Sequence, residues 1–393
     1  FKSLSKTLLI PDTRIERRVP LANGTHEIVS SNNLRQANGL SLSYTGSIPL
    51  VDMAFLNAQA YSAFERAGAD NDFYELNLFA IPYKLLKENE KRVLLLQPTS
   101  TFFASQALSF GAERVKVVEP LGPIADSLSK FPWKANNVVV EKAYPREFLI
   151  QNSSDWDIIL FPMLGSAGGA GLGALQEQYL ITTNAIKKSI ELLGDEGFLV
   201  LSSYMDNPAR SSLKLLSVVA ASLNELNLTP TQHLLAARSW NTLLIIVKTI
   251  PFTVDELDLV NSISNSLGFD MVHPESVEVF NMLSDSTFQQ LANQIIANHS
   301  AASFSDYVFN LRPSIDNSPF FSQFMKLSNL TEYLKWYGVE GVPFLELGYF
   351  IIWASLVVCL FLALVAIVFP LFLSLKKRRL ILWVWIYFSL LGL

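Results

Sequence analysis

A glutamate stands where the second strand of a nucleotide-binding βαβ unit would end. The apolar residues 93–96 predict a first buried strand, residues 115–118 predict a second, and Glu119 follows directly. In such units an acid at this position accepts hydrogen bonds from ribose hydroxyls. Many strands also end in an acid for solubility, so Glu119 alone is only a weak indication of a nucleoside site.

The loop after the first predicted strand carries side chains where a nucleoside site needs glycines. Glycine reaches positive φ without strain and lets the backbone approach a ligand closely. Here the loop reads Gln97, Pro98, Thr99, Ser100 and Thr101, and the proline also lacks an N–H. Either the nucleoside site has been lost, or Gln97, Thr99 and Thr101 supply polar contacts in place of glycine backbone.

The sequence gives little indication of a reactive cysteine, a metal site or a phosphate-binding loop. The single cysteine, Cys359, lies in an apolar stretch, and the four histidines show no metal-ligand spacing; they are His26, His233, His273 and His299. The glycine-rich residues 168–173 follow the fourth predicted strand instead of the first. We therefore interpret them as a flexible active-site loop and not as a phosphate loop.

The elements that must position Glu119 predict an α/β domain. From about residue 73, apolar runs at 93–96, 115–118, 137–140, 158–161, 198–202 and 243–247 alternate with helical segments at 104–110, 124–128, 175–193 and 211–226. Two further helices are predicted at 253–267 and 286–298. Near-continuous apolar strands between helices indicate a doubly wound parallel sheet covered on both faces.

The N-terminal part predicts a small β-rich extension over residues 1–60. Short β-type runs at 7–10, 26–29 and 40–44 are separated by Asn-Gly turns at 23–24 and 38–39, and we interpret the basic residues 14–18 as a solvated turn. The Rossmann-type domain then occupies 61–330. Its last part, 311–324, carries two prolines and is predicted to be an extended strap leading to the membrane.

The C-terminal region, 345–393, predicts membrane helices. No residue between 347 and 375 is charged, and a helix over this stretch would be long enough to span a bilayer. The basic residues 376–379 (KKRR) end the apolar stretch, and another apolar run begins at 380. The chain starts without Met and ends inside that run, so we expect a piece of a polytopic protein. The basic cluster places the globular domain outside the cytoplasm, and we expect an integral protein of a prokaryotic inner membrane.

The charge composition limits the classes of partner that the protein can be expected to bind. The 393 residues carry a net charge of −5 with a pI near 5.5, and the basic clusters are short, so no nucleic-acid partner is expected. The expected partners are the lipid bilayer, further transmembrane helices of the same protein and a second copy of the chain.

Several segments occur in the order and spacing of a known group: GLSLSYTG (39–46), GAERVKVVE (111–119), REFL (146–149), WDIIL (156–160), QEQYLITTNA (176–185), PFT (251–253), RPSIDNSPFF (312–321), LGYF (347–350) and YFSLLGL (387–393). The chain resembles the membrane-integral spermidine synthase-like proteins, in which an aminopropyltransferase-type methyltransferase fold is fused to transmembrane helices. The resemblance implies an S-adenosylmethionine-methyltransferase-like sheet. It also implies S-adenosylmethionine or its decarboxylated form as cofactor, if any is bound.

The chain departs from this family where the family does its chemistry. The family's glycine run falls on Gln97 to Thr101, and the family's acid near the adenine amine falls on Tyr144, which Pro145 follows. Asp157 matches the first acid of the family's fourth strand. The downstream acids, which would deprotonate the attacking amine and hold the polyamine, are replaced by Pro162, Met163, Leu164 and Gly165.

These departures favour a catalytically degenerate domain that acts as a binding, sensing or assembly module without a cofactor and without catalytic residues. An active aminopropyl- or methyltransferase with an altered nucleoside site is the alternative, and a regulatory domain of a transporter is a third interpretation. If a nucleoside binds, the candidate contacts are Gln97, Thr99, Thr101, Glu119 and Tyr144.

Overall fold

A computed structural model describes residues 3–21, 24–66, 70–86, 91–134, 137–164, 174–274, 286–298, 307–369 and 389. Within these ranges the strands form a four-stranded sheet followed by an eight-stranded sheet.

The first sheet is an antiparallel meander at the N-terminus. It follows α1 (Ser3–Thr7) and orders its strands as β1 (Arg14–Leu21), β2 (Gly24–Ser30), β3 (Val51–Leu56) and β4 (Gln59–Glu65). Val29, Phe55 and Ala63 form its small core with Leu4 of α1. The N-terminal residues therefore form a β-sheet, and its last strand extends to Glu65, beyond the limit of 60 that was predicted for the extension.

Its local elements differ from the prediction in three places. Residues 7–10 are not a strand, because α1 ends at Thr7 and turns follow, with Leu9 84% exposed. Residues 40–44 form only an isolated bridge at Leu40. The basic residues 14–18 belong to strand β1 instead of a turn; β1 lies at an exposed sheet edge, where the apolar alternation that identifies a strand is not required.

The second sheet has the order β12-β10-β11-β9-β8-β5-β6-β7. Its strands are β5 (Lys91–Leu96), β6 (Ala112–Val118), β7 (Val138–Glu141), β8 (Trp156–Leu164), β9 (Leu193–Tyr204), β10 (Leu234–Arg238), β11 (Thr242–Lys248) and β12 (Asp270–His273). Strands β5 to β9 are parallel, whereas β11 is antiparallel to both β9 and β10. The sheet is therefore mixed, and β10 and β12 were not predicted from the sequence.

Helices cover both faces of this sheet. They are α2 (Asn71–Glu75), α3 (Ile81–Leu85), α4 (Phe102–Ser109), α5 (Gly122–Ser129), α6 (Pro145–Gln151), α7 (Thr183–Ile190), α8 (Ser211–Glu225), α9 (Pro230–His233), α10 (Val254–Leu267) and α11 (Ser286–Asn298). Along β5 the side chains alternate, so Val93 and Leu95 pack in one core while Leu94 and Leu96 pack in the other. This double burial explains the uninterrupted apolar sequence, at about 1.5–3 kcal/mol for each large side chain.

The C-terminal strap packs on α8 instead of standing apart from the domain. Its aromatic residues Phe321 and Phe324 are buried in the core, together with Phe309, which precedes the strap. The buried ammonium group of Lys214, in α8, donates to the carbonyl oxygens of Phe320 at 3.3 Å and Gln323 at 2.8 Å. A long helix, α12 (Leu330–Ala363), follows the strap.

The predicted membrane span is a point of disagreement. Among the residues that the structure describes, none of the helices has both the length and the apolar character needed to cross a bilayer. Within the described part of the uncharged stretch, residues 347–369, α12 extends to Ala363; residues 347–363 make about 25 Å of helix against a hydrocarbon core of roughly 30 Å. A π-helical turn, Leu364–Val368, follows.

The predictions of a transmembrane helix, of an integral inner-membrane localisation and of an extracytoplasmic domain are therefore wrong on this finding. The basic cluster at 376–379 lies outside the described residues, as does the apolar run from 380 except for position 389.

Replacing the buried Lys214 by alanine is expected to lower the free energy of unfolding by about 2–4 kcal/mol, because two partly buried carbonyl groups lose their donor and a cavity remains. Urea denaturation of the full chain measures this change. The matched control is Lys188→Ala in α7, whose ion pair with Glu191 is solvent-accessible; it should change stability by less than about 0.5 kcal/mol. Equal effects of the two substitutions would contradict the assignment of Lys214 as the anchor of the strap.

Candidate functional site

The candidate site lies at the carboxyl edge of the second sheet, between β5 and β8. The strand order reverses there, and ligands of doubly wound sheets bind at such a point. Gln97 continues β5 and donates its backbone N–H to the carbonyl oxygen of Val118 in β6, at 2.8 Å. Gln97 and Glu119 therefore lie next to each other at the same edge of the sheet.

The side chain of Glu119 is bonded to groups of the chain itself. Its Oε1 accepts hydrogen bonds from the Tyr61 hydroxyl at 2.8 Å and from the backbone N–H of Leu121 at 2.8 Å. The Tyr61 hydroxyl in turn accepts a hydrogen bond from Nε2 of Gln97 at 3.0 Å. Glu119 is fully buried. A tyrosine hydroxyl from the N-terminal sheet is therefore one of the two donors to the acid that follows β6.

The loop after β5 is paired with the outer edge of β4. Ala63 donates its backbone N–H to the carbonyl oxygen of Thr99 and accepts from the N–H of Thr101, both at 2.9 Å. The N–H of Glu65 donates to Oγ1 of Thr101 at 2.9 Å. Residues 99–101 thus extend the N-terminal sheet by a short parallel bridge, and they link that sheet to the start of α4.

Burial dominates the electrostatics of this contact. Loss of solvent raises the pKa of Glu119 to about 7, although the hydrogen bonds from Leu121 and Tyr61 act in the opposite direction. Burial also raises the pKa of Glu65, whose carboxylate accepts from the Tyr74 hydroxyl at 3.2 Å. The pKa of the Tyr61 hydroxyl is raised by burial and by the nearby Glu119, so Tyr61 stays a neutral donor.

Tyr144 and Thr99, two further predicted site residues, differ in their position. Tyr144 occupies the N-cap position of α6 at the same edge of the sheet, but its side chain makes no capping bond and the residue is 65% exposed. Thr99 is near the centre, and its Oγ1 is buried without a hydrogen-bond partner among the described residues.

The matched acid of the fourth strand lies at the opposite edge. Asp157 is near the amino end of β8, where its carboxylate accepts the backbone N–H of Arg92 at 2.6 Å and pairs with the Arg92 guanidinium at 3.0 Å. The carboxyl end of β8 reads Pro162, Met163 and Leu164. Gly165 and the glycine-rich residues 168–173 lie outside the described residues.

Tyr61 and Glu65 were not predicted from the sequence as residues of this site. Tyr61 and Glu65 lie two residues before and two residues after Ala63, so in a strand their side chains point to the same face. This spacing is the only local sequence signal of their contact with Glu119 and Thr101. The partners are distant in sequence, 58 residues for Tyr61 with Glu119 and 36 for Glu65 with Thr101. Within the described ranges, no group of three or more His, Cys, Asp and Glu side chains is placed to hold a metal ion.

The sheet defines the class of this protein. Five parallel strands with β5 at the switch point, continued by an antiparallel strand inserted between β9 and β10, form an α/β Rossmann-like methyltransferase fold with a mixed sheet. No protein-family model matches the sequence, and a search of curated proteins gave no significant match.

Solved structures with a similar fold include spermidine synthases. A probable spermidine synthase from Corynebacterium glutamicum is 12% identical, with a TM-score of 0.47 over 74% of this chain and 97% of its own. A spermidine synthase in complex with the transition-state analogue AdoDATO is 11% identical, with a TM-score of 0.40 over 72% of this chain and 84% of its own. Spermidine synthase from Thermotoga maritima is 12% identical, with a TM-score of 0.39 over 65% of this chain and 88% of its own. Similarities at this level carry no information about this chain's activity.

Replacing Thr101 by valine tests the link between the loop and β4. The substitution keeps the shape but leaves the buried N–H of Glu65 without its acceptor, so the free energy of unfolding should fall by about 1–3 kcal/mol. Urea denaturation measures it. In the control Thr229→Val, an exposed threonine whose side chain makes no capping bond is replaced, and we expect a change within about 0.5 kcal/mol. A neutral Thr101→Val variant would contradict the pairing of the loop with β4.

Proposed function

We propose that this chain is a spermidine synthase-like module without transferase activity, whose nucleoside site is filled by its own N-terminal sheet. The hydrogen bond from the Tyr61 hydroxyl to the buried carboxyl group of Glu119 carries the proposal. A ribose would need this same acceptor. A domain that supplies its own hydroxyl there satisfies the acid without a ligand.

The residues at the switch point do not fit a sulfonium nucleoside in the described conformation. The loop that would have to open its backbone to the ligand instead bonds to Ala63 through Thr99 and Thr101. The side chain of Gln97 is directed to Tyr61. Both the backbone and the acid of the site are therefore engaged within the protein.

The chemistry of aminopropyl transfer also lacks a base in this part of the chain. The transfer needs a group that removes a proton from the attacking amine. At the carboxyl end of β8, Pro162 to Leu164 offer no titratable group, and the backbone N–H of Met163 bonds to Oγ of Ser202 at 2.7 Å. Asp157, the acid that matches the family, is paired with Arg92 at the other edge.

A module of this kind acts through the surfaces it presents, in binding, sensing or assembly. Its fold is retained because the strands bury apolar side chains on both faces, and that burial is needed for folding whatever the site contains.

Calorimetry on the full chain at neutral pH should show no binding of S-adenosylmethionine or its decarboxylated form with a Kd below about 1 mM, which corresponds to roughly −4 kcal/mol. The variant Tyr61→Ala should stay equally silent, because the side chains at 97–101 remain in the loop. A functional spermidine synthase measured in parallel serves as positive control. Micromolar binding by the unmodified chain would overturn the proposal.

The purified chain should also form no spermidine from putrescine and decarboxylated S-adenosylmethionine above the rate without protein, because the described end of β8 supplies no base. Mass spectrometry of the product is the measurement. Product that disappears in the Glu119→Gln variant would instead establish a transferase working at this site.

A further inference from the structure

We infer that the contact between β4 and residues 97–101 is a pH-sensitive clasp, which is closed when Glu119 and Glu65 are neutral and is released when they ionise. The inference goes beyond the proposed function, although it concerns the same contact. It assigns a state change to the N-terminal sheet: in the closed form Tyr61 covers Glu119, and in the open form the carboxyl edge of the Rossmann-type sheet is uncovered.

The clasp is built from alternate residues of one strand. Tyr61 bonds to Glu119 and Gln97 through its side chain, Ala63 bonds to Thr99 and Thr101 through its backbone, and Glu65 bonds to Thr101. Because these residues are two positions apart along β4, they contact the loop as one row. Separating β4 from the loop breaks all of these bonds together, so opening is cooperative.

In the part of the chain that the structure describes, the hydrogen-bond partners of Glu119 in the closed clasp are neutral groups. Its Oε1 accepts hydrogen bonds from the Tyr61 hydroxyl and the Leu121 N–H. Its Oε2 is buried without a hydrogen-bond partner among the described residues. On the neighbouring strands, the ammonium group of Lys116 in β6 is paired with Glu141 of β7 at 2.5 Å. A carboxylate here would be a buried charge without a paired cation, which is costly.

Glu65 has a similar environment at the other end of the row. Its carboxyl oxygens accept hydrogen bonds from the hydroxyl groups of Tyr74 in α2 and Thr101. Ser105 of α4 also donates a hydrogen bond to this carboxyl group. Lys134 is the cation that favours its charged form, but that effect is smaller than the effect of burial. Both acids of the clasp are therefore more stable as neutral groups than they would be in water.

The direction of the pH dependence follows from linkage. The closed form holds a proton on Glu119 up to about pH 7, whereas the ordinary value for a glutamate in water is 4.5. The stabilisation of the closed form is therefore complete in acid below the ordinary value and is lost progressively as the pH rises toward and past 7. The equilibrium constant for opening should rise about thirtyfold between about pH 5.5 and about pH 8.5 from Glu119 alone.

Hydrogen exchange of the full chain tests the clasp at the three amides that close it, those of Ala63, Glu65 and Thr101. After correction for the pH dependence of intrinsic exchange, their protection factors should fall by at least tenfold between about pH 5.5 and about pH 8.5. Core amides of β8, such as that of Leu160, should not change. Protection that is independent of pH at the three amides, or that falls equally in β8, would overturn the inference.

The variant Glu119→Gln removes the ionisation but keeps an oxygen acceptor for Tyr61 and Leu121. In this variant the protection factors of the three clasp amides should fall by at most a few-fold between about pH 5.5 and about pH 8.5. In the double variant with Glu65→Gln, this remaining pH dependence should disappear. If the variants do not fold, the titration of the Glu119 carboxyl carbon followed by NMR in the unmodified chain decides: an ordinary pKa would overturn the clasp.

Calorimetry at both pH values separates this inference from the proposed function. Binding of S-adenosylmethionine only at the higher pH would overturn the proposal of a lost nucleoside site and would support the clasp. Exchange that does not depend on pH, together with no binding, would overturn the clasp and leave the proposed function intact.

Discussion

The carboxyl group of Glu119 has no access to solvent and must find its hydrogen-bond donors inside the protein, and the arrangement of the site follows from this constraint. One donor is local, the N–H of Leu121, and the other comes from Tyr61 on the N-terminal sheet. Because the second donor belongs to β4, satisfying one acid also fixes the position of one sheet on the other. The backbone pairing of Ala63 with the loop completes the attachment.

The same attachment explains how a loop at a nucleotide-binding position can lack glycine. Gln97 has φ of 51° and Met163 has φ of 53°, so the ends of β5 and β8 both turn through the left-handed region that glycine adopts without strain. For a residue with a side chain this conformation costs roughly 1–2 kcal/mol. At Gln97 that cost is offset by bonds to Val118 and Tyr61, and at Met163 by the bond to Ser202. The turn of the βαβ unit is thus kept by contacts within the chain.

The sequence carried enough information to predict the central strands and the place of Glu119. Strands β5 and β8 are buried on both faces over residues 93–96 and 158–161, so their apolar runs are uninterrupted there, and α11 was predicted with its observed limits, Ser286–Asn298. Strand β1 could not be recognised, because an exposed edge strand needs no apolar pattern. Tyr61 could not be assigned to Glu119, because 58 residues separate them and their meeting depends on how two sheets pack. The membrane span predicted over the apolar stretch 347–375 was wrong, because composition gives the hydrophobicity of a segment but not the limits of a helix.

The two buried acids at opposite edges of the same sheet show why one edge is fixed and the other can change. Asp157 lies against the guanidinium group and the N–H of Arg92, so its charge is paired where β5 and β8 begin. Glu119 is surrounded by neutral donors, so its most stable state depends on the pH and on whether β4 stays in place. An ion pair holds the amino edge in one state. The carboxyl edge is held by hydrogen bonds between neutral groups and by the backbone pairing of Ala63 with the loop, so the loss of a proton from Glu119 weakens its attachment to β4.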